Sequence, residues 1–221
     1  MNKNINKKTT TELVFILDRS GSMFNLTADT IGGFNSMIQK QKNKHTDTYV
    51  STVLFNDETT ILHNRVKLSD ISKMTNRDYH ASGTTALLDA IGSTIKHISN
   101  IHKHMKKENI PTKTMVVITT DGMENASKNY NFSQIKEMIE TQKQRYDWEF
   151  IFLAANIDAI ETGIIIGIDE DHSVKYKADK KGTEVLYQTL YDAVDLCCEA
   201  KSLPKNWKED IERDYISRKN K

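Results

Sequence analysis

The stretch LVFILDRSGS, residues 13–22, places an uninterrupted apolar run directly before a loop of oxygen-bearing side chains. Five apolar residues without polar alternation are typical of a strand that is buried on both faces. Asp18, Ser20 and Ser22 follow at alternate positions, and Gly21 lets the backbone bend so that these side chains converge. A carboxylate and two hydroxyls suit Mg²⁺, which prefers oxygen ligands and takes only one or two protein carboxylates. The alternative is that Ser20 or Ser22 only caps the following helix.

Length and charge limit the classes of protein to which the chain can belong. Its 221 residues and 25.3 kDa suit one sizeable domain with a short appendage. Lysine and arginine total 31 against 30 aspartate and glutamate, so the net charge of +1 gives no reason to expect a nucleic-acid or membrane partner. The polar N-terminal stretch is followed by only five apolar residues, too few for a signal peptide or a membrane span. We therefore predict a cytoplasmic protein.

The order of apolar patterns predicts an open α/β sheet. Runs at residues 13–17, 52–55, 115–118 and 150–155 are typical of strands covered on both faces, and a further strand is predicted over 173–177. Segments between them have helical spacing, such as the stripe formed by Leu88, Ile91, Ile95 and Ile98. Between residues 50 and 66, two strand-like runs flank the turn Asn56-Asp57-Glu58, which predicts a hairpin whose second strand is antiparallel and lies at an edge.

Three loops at predicted strand or helix ends carry candidate metal ligands. Besides residues 18–22, they are Gly83-Thr84-Thr85, before the Leu88 helix, and Thr120-Asp121-Gly122, after a strand. Ligands of open α/β sheets bind at the carboxyl ends of the strands, where the strand order reverses. If the strands that end at Asp18 and Thr120 are neighbours at that point, the carboxylates of Asp18 and Asp121 face one another.

This pattern resembles the von Willebrand factor type A (vWA) family with its metal-ion-dependent adhesion site, over about residues 11–200. The resemblance implies a doubly wound, mostly parallel six-stranded sheet with one antiparallel edge strand and helices on both faces. We accordingly divide the chain into a polar tail (1–10), the vWA domain (11–200) and a C-terminal helical extension or tail (201–221). The metal ligands that the resemblance implies are Asp18, Ser20, Ser22, Thr85 and Asp121.

The resemblance also implies a metal and a class of partner. The expected cation is Mg²⁺, with Mn²⁺ or Ca²⁺ as alternatives, and an Asp or Glu of a partner protein completes its coordination. Because hydroxyl ligands are neutral, the ion keeps positive charge that attracts an outside carboxylate. Stand-alone cytosolic relatives in bacteria and phages imply an AAA+ ATPase or a stress or defence component as partner. Related domains also couple metal coordination to movement of the last helix, here residues 182–200.

Other polar residues near these loops are weaker candidates. The predicted rim of the site comprises Thr84, His80, Glu124 and Asn156. Surface polarity is the alternative explanation for His80, and a turn-forming role is the alternative for Asn156. Asp89 either orients a water near the metal or is a favourable acid in the first turn of its helix. We expect the three histidines His97, His102 and His104 to be solvated cations at a helix end.

The sequence gives no support for catalysis. The position two residues after Asp18, where aspartyl phosphatases have a second aspartate, is Ser20, and neither a Gly-x-x-x-x-Gly-Lys phosphate loop nor a Gly-x-Ser-x-Gly elbow is present. We therefore predict a non-catalytic, metal-dependent protein-binding module. Two alternatives stay open: a metal-dependent phosphohydrolase or nucleotide-processing enzyme, and a scaffold or effector that uses a surface away from the metal.

Overall fold

A single sheet forms the centre of the molecule. The computed structural model describes residues 10–42, 44–155, 157–199 and 201–218. Within these ranges the strands are β1 (Thr11–Asp18), β2 (Thr48–Phe55), β3 (Thr59–Lys67), β4 (Lys113–Thr120), β5 (Trp148–Ala154) and β6 (Ser173–Lys175). Their order is β3-β2-β1-β4-β5-β6, with β3 antiparallel to β2 at one edge and all other pairs parallel. The predicted fold class is confirmed.

Helices cover both faces of this sheet. They are α1 (Thr27–Lys42), α2 (Leu87–His104), α3 (Phe132–Tyr146), α4 (Ile157–Ile165), α5 (Lys180–Cys198) and α6 (Glu209–Ser217). One apolar core joins the sheet to α1, α5 and α6, and a second core joins the opposite face to α2 and α3. Among the described residues, none of these helices combines the length and apolar character needed to cross a bilayer.

The central strand β1 contributes to both cores. Leu13, Phe15 and Leu17 lie in the core under α1 and α5, whereas Val14 and Ile16 lie in the core under α2 and α3. All five side chains are fully buried. Because each face of β1 is covered by helices, successive residues are apolar, which explains the run of apolar residues in the sequence.

The order in which the strands are added to the sheet reverses beside β1. From β1 the chain continues to β2 on one side, and it later returns to β4 on the other side. β1 and β4 are paired in parallel, with Leu17 opposite Thr119. Their carboxyl ends are therefore neighbours at the reversal point, and the loops that begin at Asp18 and Asp121 lie on the same edge of the sheet.

The C-terminal segment is a docked helix, one of the two possibilities that the sequence left open. α6 buries Ile211 in the core under α5. Lys208, just before the helix, donates through Nζ to the carbonyl oxygens of Glu170 (2.6 Å) and Ser173 (2.8 Å). These contacts fix α6 against the far edge of the sheet. The predicted N-terminal tail lies outside the described residues except for Thr10.

His102 differs from its sequence-based prediction. Its side chain is only 11% exposed, and its Nε2 lies 3.6 Å from the carboxylate of Glu12, which is fully buried. Its ring packs edge-on against Trp148, with the ring centroids 5.6 Å apart. The predicted solvent exposure is therefore wrong for His102, because the end of α2 lies against the buried start of β1.

The two cysteines are free thiols, as expected from their adjacency. Cys197 is buried and Cys198 is partly buried, both on α5. Burial raises the pKa of the Cys198 thiol to about 11. Both side chains therefore pack as small, weakly reactive groups.

Candidate metal centre

Asp18 is a buried carboxylate at the end of the central strand. Its side chain is fully buried, and it accepts hydrogen bonds from the Ser20 backbone N–H (2.6 Å, Oδ1) and from Thr120 Oγ1 (2.6 Å, Oδ2). Burial raises the pKa of Asp18 to about 6, although these hydrogen bonds partly offset the increase. A carboxylate that is costly to ionise in this position favours a bound cation, which compensates its charge.

Two serines connect Asp18 to the second predicted carboxylate. Ser20 Oγ lies 3.1 Å from Ser22 Oγ, and Ser22 Oγ donates to Asp121 Oδ1 at 2.6 Å. Burial also raises the pKa of Asp121. The loops after β1 and β4 are thus joined side by side, as expected from their positions at the reversal point.

Gly122 marks the place where the hydroxyls converge. A Cβ atom added at Gly122 would lie 3.0 Å from Thr85 Oγ1, 3.6 Å from Ser22 Oγ and 3.8 Å from Ser20 Oγ. Three hydroxyls from two separate loops therefore surround one small space, and a residue without a side chain leaves that space open. The structure brings all five predicted metal ligands into this region.

The Thr85 loop is held in place by the loop after β1. Gly21 N–H donates to the carbonyl oxygen of Gly83 (3.1 Å), and Ser82 N–H donates to the carbonyl oxygen of Arg19 (2.9 Å). Gly83 has a φ of +76°, a conformation that favours glycine, and a Cβ there would lie 2.0 Å from Asp57 Oδ1. The turn before Thr85 therefore favours glycine for its backbone angle, and any other residue would also displace the Asp57 side chain.

Asn125 fixes Thr85 from the opposite side. Its side-chain oxygen accepts from the Thr85 N–H (2.9 Å), and its own N–H donates to the Thr85 carbonyl oxygen (3.1 Å). Tyr79, which is fully buried, donates its hydroxyl to the carbonyl oxygen of Asp18. The sequence analysis gave no role to Tyr79, Thr120 or Asn125 in positioning the ligands. The sequence carries a signal for Thr120, at the end of a predicted strand, and for Asn125, next to the predicted rim residue Glu124.

The donor set fits a hard divalent cation. Two carboxylates and three neutral hydroxyls supply oxygen only, which is the ligand type of Mg²⁺ and Mn²⁺. Asp18, Ser20 and Thr85 are buried, whereas Ser22 is exposed, so the cluster opens to solvent on one side. Within the described ranges no group of three or more His, Cys, Asp or Glu side chains could hold a metal. A site of this kind therefore depends on the hydroxyls.

The predicted rim residues have different environments. His80 and Thr84 are exposed in the loop that leads to Thr85. Asn156 lies outside the described residues. The carboxylate of Glu124 accepts from the backbone N–H groups of Leu88 (2.8 Å), Ala126 (3.0 Å) and Ser127 (2.8 Å), and from the Ser127 hydroxyl (2.7 Å). Glu124 therefore joins the loop to the first turn of α2 instead of presenting a carboxylate at the rim.

Asp89 also organises a loop. Its carboxylate accepts from the backbone N–H groups of Lys128, Asn129 and Tyr130, each at 2.9 Å. These contacts lie between α2 and the segment before α3. Asp89 lies in the first turn of α2, as one of its two predicted roles requires, and its contacts with the loop before α3 were not predicted.

The family model of the von Willebrand factor type A domain matches residues 12–187. The chain belongs to this family. As a vWA protein, it carries the oxygen cluster described above at the carboxyl edge of its sheet, and α6 lies beyond the matched region. No curated protein sequence matches the chain significantly.

Solved structures share the vWA fold at low sequence identity. The pilus adhesin SpaC from Lactobacillus rhamnosus GG has a TM-score of 0.65 at 12% identity, over 87% of this chain and 30% of that chain. The PilB minor pilin from Streptococcus sanguinis has a TM-score of 0.60 at 11% identity, over 84% and 61%. The manganese-loaded TRAP protein of Plasmodium vivax has a TM-score of 0.54 at 18% identity, over 81% and 72%. This chain thus spans less than two thirds of the adhesin and of the pilin.

Proposed function

We propose that this vWA protein is a metal-dependent protein-binding module that recognises a carboxylate of its partner. The convergence of three hydroxyls around Gly122, beside the carboxylates of Asp18 and Asp121, is the observation that carries the proposal. The metal ligands would be Asp18, Ser20, Ser22, Thr85 and Asp121. The manganese-loaded relative supports a divalent cation, and we expect Mg²⁺ in this chain.

The protein's own residues explain why a partner would be needed. Asp18 and Asp121 carry the only charges among the five predicted ligands, and five oxygens leave one position of an octahedral shell for an outside group. When bound, the cation would supply a centre of positive charge for a carboxylate from outside. Ser22 is exposed and next to Asp121, which leaves the approach to the cluster open on that side. Thr120 and the Ser20 backbone N–H hold the Asp18 carboxylate in a fixed orientation.

We further propose that the module is not an enzyme. The hydroxyls of Ser20 and Ser22 bond to each other, and Ser22 also bonds to Asp121, so the described contacts give neither serine a histidine base. Asn125 and Glu124, on the loop that follows Asp121, hold neighbouring loops in place. A cytoplasmic location, and an AAA+ ATPase or a stress or defence component as partner, remain predictions.

The proposal is tested by affinity capture from an extract of the native host. Immobilised wild type, Asp121→Ala and Asp192→Ala are compared in Mg²⁺ and in EDTA, with Asp192 as an exposed carboxylate on α5. We expect one partner to be retained by wild type and Asp192→Ala in Mg²⁺, and to be lost in EDTA and with Asp121→Ala. A partner that is retained equally in EDTA would instead indicate a surface away from the metal. Metal-dependent turnover of phosphate esters, lost in Asp18→Ala, would instead indicate a hydrolase.

A further inference from the structure

Two large apolar side chains are exposed beside the candidate metal centre. Phe24 is 70% exposed and Met123 is 54% exposed. Each follows a predicted ligand by two positions: Phe24 follows Ser22, and Met123 follows Asp121. Exposed apolar side chains next to a polar binding site are typical of a protein-interaction surface.

The local structure shows that neither side chain serves the core. In the 3₁₀ helix Gly21–Leu26, Met23 and Leu26 are the buried residues, with 3% and 5% exposure, and Phe24 lies on the outside. The loop that carries Met123 is anchored by its neighbour Glu124, whose carboxylate bonds to the first turn of α2. The chain therefore holds both apolar side chains outward on well-fixed loops.

The loops that carry the two side chains meet at the oxygen cluster. The hydrogen bond between Ser22 Oγ and Asp121 Oδ1 (2.6 Å) joins the two loops directly at the mouth of the oxygen cluster. Phe24 and Met123 continue these loops on the solvent side. A partner segment that places a carboxylate at the cluster would therefore cover one or both side chains and remove their apolar area from water.

The turn next to the Thr85 loop is acidic. Asp57 and Glu58 are exposed in the turn between β2 and β3. Asp57 Oδ1 lies only 2.0 Å from the position that a Cβ of Gly83 would take, so this carboxylate adjoins the loop that carries Thr85. A partner with further acidic residues on this side would be repelled.

From these observations we propose the chemistry of the partner segment: one Asp or Glu flanked by apolar side chains, without further acidic residues. Phe24 and Met123 would contact the apolar flank, while Asp57 and Glu58 would select against acid-rich segments. This inference rests on the proposed metal-dependent function, because the single carboxylate is the group that reaches the oxygen cluster. It adds specificity that the metal ligands alone do not provide.

The test uses an array of short peptides with one fixed central Glu and randomised flanking residues, probed with the full chain in Mg²⁺ and in EDTA. Wild type should retain peptides with apolar flanking residues and no second acid. The double variant Phe24→Ser with Met123→Ser should lose this preference and bind the selected peptides about tenfold more weakly, as expected for loss of an apolar contact in a recognition surface. The control is Ile216→Ser, because Ile216 is 71% exposed and lies on α6, outside the loops that carry the predicted ligands.

The outcomes of this test distinguish the proposed preference for apolar flanks from the proposed metal-dependent binding on which it rests. If retention needs Mg²⁺ and the central Glu, but the selected flanks are polar or the double variant behaves like Ile216→Ser, the inference is wrong and the proposed function stands. If no peptide is retained in a Mg²⁺-dependent manner, both are wrong. Unchanged Mg²⁺ binding by the double variant, measured by calorimetry, shows that its effect is confined to the partner contact.

Discussion

At the scale of single residues, the candidate centre combines a buried carboxylate with an open space between three hydroxyls. Asp18 is fully buried with a raised pKa, so its negative charge is unfavourable without a cation. Gly122 provides open space among the hydroxyls of Thr85, Ser20 and Ser22. Both features are explained if a cation occupies the space and compensates the charge. Each leads to a substitution with a definite expected result.

Gly122→Ala tests the space between the hydroxyls. The added methyl group would lie 3.0 Å from Thr85 Oγ1 and would occupy the region on which the hydroxyls converge. We expect the variant to fold and to lose the increase in Tm that Mg²⁺ gives to wild type, an increase that reflects about 2.7 kcal/mol at 100 times the Kd. The control is Gly32→Ala, where a Cβ meets nothing within 4 Å. An unchanged Mg²⁺ effect in Gly122→Ala would contradict this account.

Asp18→Asn tests the cost of the buried charge. The folded chain holds the pKa of Asp18 at about 6 against 3.8 for the exposed group, so the folded state binds more protons between these pH values. Stability of the metal-free wild type therefore rises as the pH falls from 7 towards 4, and the penalty is fully present above pH 6. In EDTA at pH 7.5 we expect Asp18→Asn to be more stable than wild type by roughly 1–3 kcal/mol in urea unfolding.

The pH dependence is the control for this effect. The advantage of Asp18→Asn should shrink as the pH falls below 6 and disappear below the unfolded-state pKa of 3.8, because wild-type Asp18 is then protonated in both states. The asparagine oxygen can still accept from the Ser20 N–H, so the main backbone contact is retained. An advantage that does not change with pH would show that the buried charge is not its cause.

At the scale of elements, the packing of α1 against α5 depends on close approach. Gly33 on α1 faces the ring of Tyr187 on α5, and a Cβ at Gly33 would lie 2.2 Å from the Tyr187 ring. Tyr187 is buried in the core that also contains the α1 residues Phe34 and Met37. The contact brings together the first and last helices of the vWA domain on one face of the sheet.

The neighbouring glycines of α1 give a matched pair of variants. Gly33→Ala should lower the free energy of unfolding by about 1–3 kcal/mol, because the methyl group overpacks the contact with Tyr187. Gly32→Ala should be neutral or stabilising by up to about 1 kcal/mol, since its Cβ meets open space and alanine favours the helix. Urea unfolding of both variants measures the difference. Equal stability of the two variants would contradict the close approach.

Local sequence patterns predicted most elements, whereas the set of five candidate ligands came from the family resemblance. The run at residues 13–17 and the loop at 18–22 carry their signals within ten residues, so strand and loop were recognisable together. The roles of Asn125 and Tyr79 depend on contacts with Thr85 and Asp18, 40 and 61 positions away in sequence. Such contacts leave no periodic pattern. His102 was predicted incorrectly for the same reason, because its partner Glu12 lies on another element.

At the scale of the whole molecule, α6 extends the domain beyond the region matched by the family model. Arg218 donates to Asp179 (2.5 Å), and Asp179 in turn accepts from the Gly182 N–H as the N-cap of α5. Ile211 packs into the core under α5. Because α6 binds to the start of α5, it restrains the helix whose movement was predicted from the family resemblance.

Two isoleucines of α6 test the strength of this docking. Ile211→Ala should destabilise the α6 contact by about 2–4 kcal/mol, because Ile211 is 2% exposed and its removal leaves a cavity. Ile216→Ala should change stability by less than about 0.5 kcal/mol, since Ile216 is 71% exposed. Hydrogen exchange of the α6 amides measures both effects. Equal protection in the two variants would show that α6 does not depend on the core.

Metal binding by the oxygen cluster is the central claim, and titration calorimetry with Mg²⁺ and Mn²⁺ tests it most directly. Wild type and the control Asp192→Ala should bind one cation with the same heat, whereas Asp18→Ala combined with Asp121→Ala should give no binding heat. Circular dichroism of the double variant establishes that it is folded. The same heat for wild type and the folded double variant would contradict the assignment of the metal centre.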